Sequence, residues 1–223
     1  ELNISKKELE KIIISFVNEA VEYNFKCVMI RSNYVSLAKS IISDKKSNVI
    51  VGTVVDFPLG TSCFEQKIKE AQLALKHGAQ QLDYVCDYNS FKMGELDSFD
   101  ESILKCTKIG LEAKAVVKWI VETGSLTKSE IKSISKRIYY IILKNFPDQI
   151  SKVFVKTSTG YYGGLGATIK DIKSIKSIVS DMPIKASGGI SDLDTCLKMI
   201  DAGADRIGTS KASKIYEEWR RLN

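Results

Sequence analysis

What most constrains this chain is the way its hydrophobic period keeps switching between two residues and 3.6. Short apolar runs recur at 25–30 (FKCVMI), 48–55 (NVIVGTVV), 81–86 (QLDYVC), 113–121 (AKAVVKWIV), 152–158 (KVFVKTS), 183–187 (PIKAS) and 205–210 (DRIGTS). Amphipathic stretches separate them, at 5–23, 32–43, 64–76, 98–109, 128–144, 169–180, 193–201 and 211–221. Strands that alternate with helices imply a parallel sheet. Seven strands and eight helices in 223 residues point to an α/β fold of the TIM (β/α)8 type, one strand short of the eight needed to close. The deficit lies at the front, where the chain opens directly into a helix, so the first strand is expected upstream of Glu1. Three prolines and no low-complexity linker mark no boundary, and residues 1–223 read as one domain. An open doubly wound sheet is the alternative. A dinucleotide-binding fold fits less well, because the glycine-rich run GYYGGLG (160–166) follows a late strand and lacks the GxGxxG order.

Local punctuation agrees with this division. HGAQQLD (77–83) and AGADRIG (202–208) are two copies of one device, a helix that ends on glycine and turns into a strand. Ser191 and Asp192 offer an N-cap to the helix that follows them.

The net charge is +6, but the lysines are scattered along helical stretches such as KSEIKSISKR, with no basic block interleaved with aromatics. That argues against a nucleic-acid partner and for a solvated surface that helps attract an anionic substrate. Five separated cysteines with no CxxC fit neither a disulfide framework nor a structural zinc site, and point to a reducing, cytoplasmic compartment. His77 is the one histidine, so a His-based metal site or Ser-His-Asp triad would rest on it alone; it reads as a helix C-terminal residue. No apolar run approaches the ~20 residues needed to span a bilayer, so no membrane partner is expected.

Two strands carry a costly feature. FVKTSTG (154–160) and PIKASGG (183–189) each place a lysine near the end of an apolar strand, before a turn of small residues. Alternation puts Phe154, Lys156 and Ser158 on one face, and Lys185 and Ser187 on one face of the next strand. Neighbouring strands lie ~4.8 Å apart, which would bring both ammonium groups together inside a barrel. Burial and mutual repulsion both depress an ammonium pKa from ~10.4, and the free amine so produced is the nucleophile for a Schiff base. A single strand lysine ordinarily snorkels to solvent or pairs with an acid; two at equivalent places favour chemistry. Asp83 in QLDYV and Lys118 in VVKWIV add a carboxylate and a third cation to the same interior. Such a cluster is hard to justify by stability, since buried ion pairs often do no better than apolar packing. The turns Ser187-Gly188-Gly189 and Gly208-Thr209-Ser210-Lys211 offer free backbone N–H groups at helix N-termini, a natural anion site.

Together FVKTSTG, PIKASGGI, RIGTS, VVDFPLG, LDYV and WIVETGSL resemble the deoxyribose-phosphate aldolases, class I aldolases on a TIM barrel. The resemblance runs from about residue 5 to the end. It implies that Lys156 forms the Schiff base, that Lys185 lowers its pKa, and that Asp83 shuttles protons through a water, with Lys118 completing the network. It implies a phosphate site at Gly188, Gly189 and Ser210, to which Gly160, Gly208 and Lys211 are added. The implied reaction is reversible cleavage of 2-deoxy-D-ribose 5-phosphate to D-glyceraldehyde 3-phosphate and acetaldehyde, with a sugar phosphate as partner and no metal or other cofactor. A homodimer is open by the same resemblance, and the residues neither support nor exclude it. The chain departs from the family where Met29 and Arg31 stand for Cys and Asn, Asp56 for Gly, and Lys211 for a small residue, and where a first strand like IDHTLL would precede Glu1. The departures concentrate on the substrate-carbon side, at Arg31, Asp56 and Asp87. Other readings are a different lysine-dependent barrel aldolase and a silent barrel that binds a sugar phosphate or a protein.

Overall fold

The computed structural model describes residues 5–163 and 165–222. In chain order the elements are α1 (Lys6–Glu22), β1 (Cys27–Ile30), α2 (Val35–Asp44), β2 (Ile50–Val55), α3 (Phe64–Lys76), β3 (Gln81–Val85), α4 (Tyr88–Met93), α5 (Leu96–Glu112), β4 (Val116–Ile120), α6 (Lys128–Asn145), β5 (Val153–Lys156), α7 (Ile169–Lys176), β6 (Ile184–Ser187), α8 (Leu193–Asp201), β7 (Arg206–Gly208) and α9 (Ala212–Arg220). All seven strands are parallel and pair in sequence order from β1 to β7.

The sheet curls. Gln81 on β3 and Arg206 on β7 touch at 3.0 Å, whereas four strand spacings in a flat sheet would separate them by about 19 Å. An open doubly wound sheet is thereby ruled out in favour of the barrel-type fold. β1 and β7 share no ladder. A cavity of about 870 Å³ lies along the seam, with Cys27 and Met29 on one bank and Arg206 and Gly208 on the other. The strand expected upstream of Glu1 lies outside the described residues.

Alternation decides what each strand shows to each side. On β3, Leu82 and Tyr84 face the helices: Tyr84 stacks on Trp119 of β4 at 4.9 Å and donates to the Cys106 carbonyl of α5. Gln81 and Asp83 take the opposite face, inside the curl. The helices cover the outside with stripes of the expected period, such as Ile131, Ile134, Ile138 and Ile142 of α6, all buried. Capping boxes start α1 at Ser5 and α6 at Thr127. His77 caps the C-terminus of α3, and Gly78 and Gly203 take left-handed backbone after α3 and α8, as their sequence context predicts.

Among the described residues the sequence reading lacks a 3-10 helix at Pro147–Lys152 and one α-helix, α4. Its six residues are too few to show a period; Asp87 caps its start through Ser90, and Gly94, left-handed, ends it. Other differences are at ends: α7 stops at Lys176 rather than 180, and β7 spans only Arg206–Gly208.

Candidate active site

Every candidate catalytic side chain points into the curl. Asp83 and Lys118 are paired in register across β3 and β4, and Lys156 and Lys185 across β5 and β6. Asp83 is the hub: one carboxylate oxygen accepts from Lys118 at 2.6 Å, and the other from Lys156 at 3.0 Å and Lys185 at 2.8 Å. Exposure is nil for Asp83 and Lys118 and at most 5 % for Lys156 and Lys185. Three ammonium groups thus converge on one carboxylate with almost no water.

The strand ends that carry the lysines are locked by small hydroxyl residues. Thr157 donates through its hydroxyl to the Ser187 carbonyl and accepts from the Ser187 N–H, while the Ser187 hydroxyl donates to the Ser158 carbonyl. These bonds hold β5 against β6 at the point where Lys156 and Lys185 project. The Thr and Ser residues of the two motifs therefore serve the geometry of the pair.

Burial pushes the Lys156 ammonium down from 10.5 to about 8; Asp83 opposes the fall and the Lys185 charge adds to it. Burial also lowers Lys118, against the attraction of Asp83. For Asp83, burial would raise the carboxyl, but the three ammonium groups outweigh it and hold the group well below the usual carboxylate range. An amine titrating near 8 is partly free at neutral pH and can add to a carbonyl.

The cavity that Lys156 and Lys185 line is also lined by Gly160, Gly188, Gly189, Gly208, Ser210 and Lys211. Gly160, Gly188 and Gly189 have positive φ, so their turns require glycine. Gly208 has a different reason. A Cβ there would lie 2.8 Å from Lys185 Cε, so the missing side chain makes room for the lysine stem. Lys211 is the N-cap of α9, and its N–H donates to the Thr209 hydroxyl, which in turn donates to the Ile190 carbonyl.

The three residues on the substrate-carbon side stay outside this cluster. The Asp56 carboxylate is engaged by the Ser62 N–H and hydroxyl and by Lys67 at 3.3 Å. Asp87 caps α4. The Arg31 guanidinium sits 4.6 Å above the Phe57 ring and donates to the Phe57 carbonyl. Met29 lines the cavity, with Cys27 directing its thiol at the thioether.

Sequence reasoning missed Gln81 and Arg206. Gln81 accepts from both Lys118 at 2.7 Å and Arg206 at 3.0 Å, extending the polar cluster across the interior. A signal existed: both lie at inward positions of their strands, two residues before Asp83 and two before Gly208. Lys67, buried on α3 with its ammonium on the Gly60 and Val85 carbonyls, was also missed. It shares the helix face of Ala71 and Ala74, which the 3.6 period could have revealed.

No family model matches the chain. A protein from Thermococcus gammatolerans named deoxyribose-phosphate aldolase is 38% identical over 217 residues, covering 96% of this chain and 92% of that one. The chain belongs to the deoxyribose-phosphate aldolase family. The family likeness extends to a protein of that name from Mycoplasmopsis pulmonis, 36% identical over 95% of this chain and 88% of its own length. Among solved structures, one described as QR15, an aldolase, superposes with a TM-score of 0.83 at 37% identity, covering 99% of this chain and 91% of that one. A deoxyribose phosphate aldolase from Aeropyrum pernix, described as having a unique tetrameric structure, superposes at 0.80 with 26% identity, covering 100% and 88%. Within the family frame, the lysine-carboxylate cluster is built from the motifs that carry the resemblance, while Arg31 and Asp56, where this chain departs, are held by Phe57 and by Ser62 with Lys67 of α3, respectively.

Proposed function

We propose that this chain is a class I aldolase that reversibly cleaves 2-deoxy-D-ribose 5-phosphate to D-glyceraldehyde 3-phosphate and acetaldehyde. The observation that carries the reading is the buried Lys156, titrating near 8 within hydrogen-bond reach of Asp83 and in register with Lys185. The Lys156 amine adds to the C1 aldehyde, and loss of water gives the imine. The C2–C3 bond then breaks, its electron pair moving into the imine to form an enamine. The C3 hydroxyl proton leaves through a water to Asp83 as the C3 aldehyde of glyceraldehyde 3-phosphate forms. Protonation of the enamine at C2 and hydrolysis release acetaldehyde and restore the amine. A carboxylate held so firmly ionised passes a proton on rather than storing it. The phosphate would bind the turn of Gly188 and Gly189 after β6 and the turn of Ser210 at the start of α9, with Gly160, Gly208 and Lys211 alongside, since backbone N–H groups at a helix N-terminus favour an anion.

The test is intact mass after incubation with 2-deoxyribose 5-phosphate and borohydride, which reduces an imine to a stable amine. The expected outcome is one adduct on the wild type, mapped to the peptide containing Lys156, and none on Lys156→Ala. An adduct on both proteins would move the nucleophile to another lysine, and no adduct on folded wild type would refute the imine mechanism.

A further inference from the structure

Glu122 follows β4 by two residues, in the motif WIVETGSL, and has no place in the chemistry above. Its backbone is left-handed, with φ 56° and ψ 66°. That conformation is costly for a residue with a Cβ, by roughly 1–3 kcal/mol, and persists where surrounding contacts impose it. The neighbouring ladder shows what imposes it. Val121 N–H donates to the Lys156 carbonyl and Thr123 N–H to the Thr157 carbonyl, so the chain advances two residues on the β4 side for one on the β5 side. Glu122 is the extra residue of a bulge, a device that re-aims a side chain.

The re-aimed side chain is 1 % exposed. One carboxylate oxygen accepts from both the N–H and the hydroxyl of Thr159. The other, Oε1, is buried and has no hydrogen-bond partner among the described residues. Burial lifts the carboxyl above its ordinary value, with the Thr159 bonds and the Lys156 charge opposing the rise. A strained backbone and a half-satisfied buried carboxyl are two separate costs, both incurred at the turn that leaves Lys156. Thr159 and Gly160 of that turn line the cavity beside Lys156. Thr123, next to Glu122, adds a hydroxyl contact to Ser158 at 3.3 Å.

We propose that Glu122 is a positioning residue for the imine-forming lysine: its carboxylate clamps Thr159 and so fixes the 157–160 turn and the direction in which Lys156 projects. This rests on the aldolase reading. Glu122 touches no reacting atom in it, and acts through Thr159. The clamp needs an acceptor for two donors, which glutamine also supplies through its amide oxygen, whereas alanine does not.

The test compares wild type, Glu122→Gln, Glu122→Ala, Thr159→Val and the Glu122→Ala/Thr159→Val double variant, each assayed with 2-deoxyribose 5-phosphate and trapped with borohydride. Misplacing a nucleophile costs rate before binding, so Glu122→Ala should lose about 10- to 100-fold in kcat with KM changed little. Glu122→Gln should recover most of that loss. Thr159→Val should also lose kcat, and the double variant should be little worse than Glu122→Ala alone, because one contact is broken in both. If Glu122→Ala does not fold, the Thr159→Val arm carries the test, and wild-type kcat there overturns the proposal. Glu122→Gln as impaired as Glu122→Ala, or losses that add in the double variant, would also overturn it. An adduct on wild-type Lys156 keeps the aldolase reading intact in all these cases, so the two can fail separately.

Discussion

Asp83 holds together a cluster that would otherwise repel itself. Replacing it with asparagine leaves Lys118, Lys156 and Lys185 buried without a counter-charge. Breaking a buried pair in this way costs about 3–5 kcal/mol, so urea unfolding of Asp83→Asn should show a loss of that size. The Lys156–Lys185 contact makes a second prediction. The Lys185 charge helps lower Lys156 to about 8, so in Lys185→Met the pH midpoint for trapping the imine should move above 8; a midpoint that stays put would show that burial alone sets it. The same depression sets the sign of a stability effect. Between about pH 8 and 10.5 the folded chain holds fewer protons at Lys156 than the unfolded chain, so this group's contribution to stability rises with pH through that window. Below it, both states are protonated and the cost of the buried charge is carried in full. At this scale the sequence was informative because a lysine in an apolar strand is rare enough to stand out. Gln81, Arg206 and Glu122 were not legible in the same way: each is an ordinary polar residue until the partners it reaches, 37 to 125 residues away, are known.

Elements ended where sequence punctuation placed them when the signal was glycine, and less visibly elsewhere. The same helix-ending turn recurs after α1, α2 and α5, with Asn24, Lys46 and Lys114 in the left-handed position that Gly78 and Gly203 hold after α3 and α8. In each, the next N–H reaches back to the carbonyl five residues earlier, as in Ser47 to Ile42 and Ala115 to Gly110. The motif was readable in HGAQ and AGAD but not at Lys46 or Lys114, because lysine carries no signal for positive φ. A side chain in that conformation costs about 1 kcal/mol or more, and Lys46 and Lys114 are exposed. Lys46→Gly and Lys114→Gly should each raise the melting temperature by about 1–2 °C for a chain of this size, because the entropy cost of glycine offsets roughly half of the relieved strain. A melting temperature at or below wild type would mean that the lysine backbone is unstrained.

For the whole molecule, the cationic excess is both dispersed and concentrated. The net charge is +6, and inside the curl three ammonium groups meet on the Asp83 carboxylate, with Arg206 joined to them through Gln81. A cavity framed by that cluster should draw in a dianionic substrate more strongly at low ionic strength. Accordingly, kcat/KM for 2-deoxyribose 5-phosphate should fall several-fold between about 10 and 150 mM salt, while that for unphosphorylated 2-deoxyribose stays flat. Equal salt dependence for both would remove the phosphate from the interaction. Among the described residues no helix is long and apolar enough to cross a membrane. The order of elements, the parallel sheet and the inward direction of Lys156 and Lys185 were set by the sequence itself, since periodicity is local and a strand's alternation follows from its own backbone. The convergence on Asp83, the seam between β1 and β7, the room that Gly208 leaves for Lys185 and the bulge that aims Glu122 were decided by tertiary structure alone. Each of these depends on how far the sheet curls and how its strands are staggered, and those are set by the packing of the whole chain.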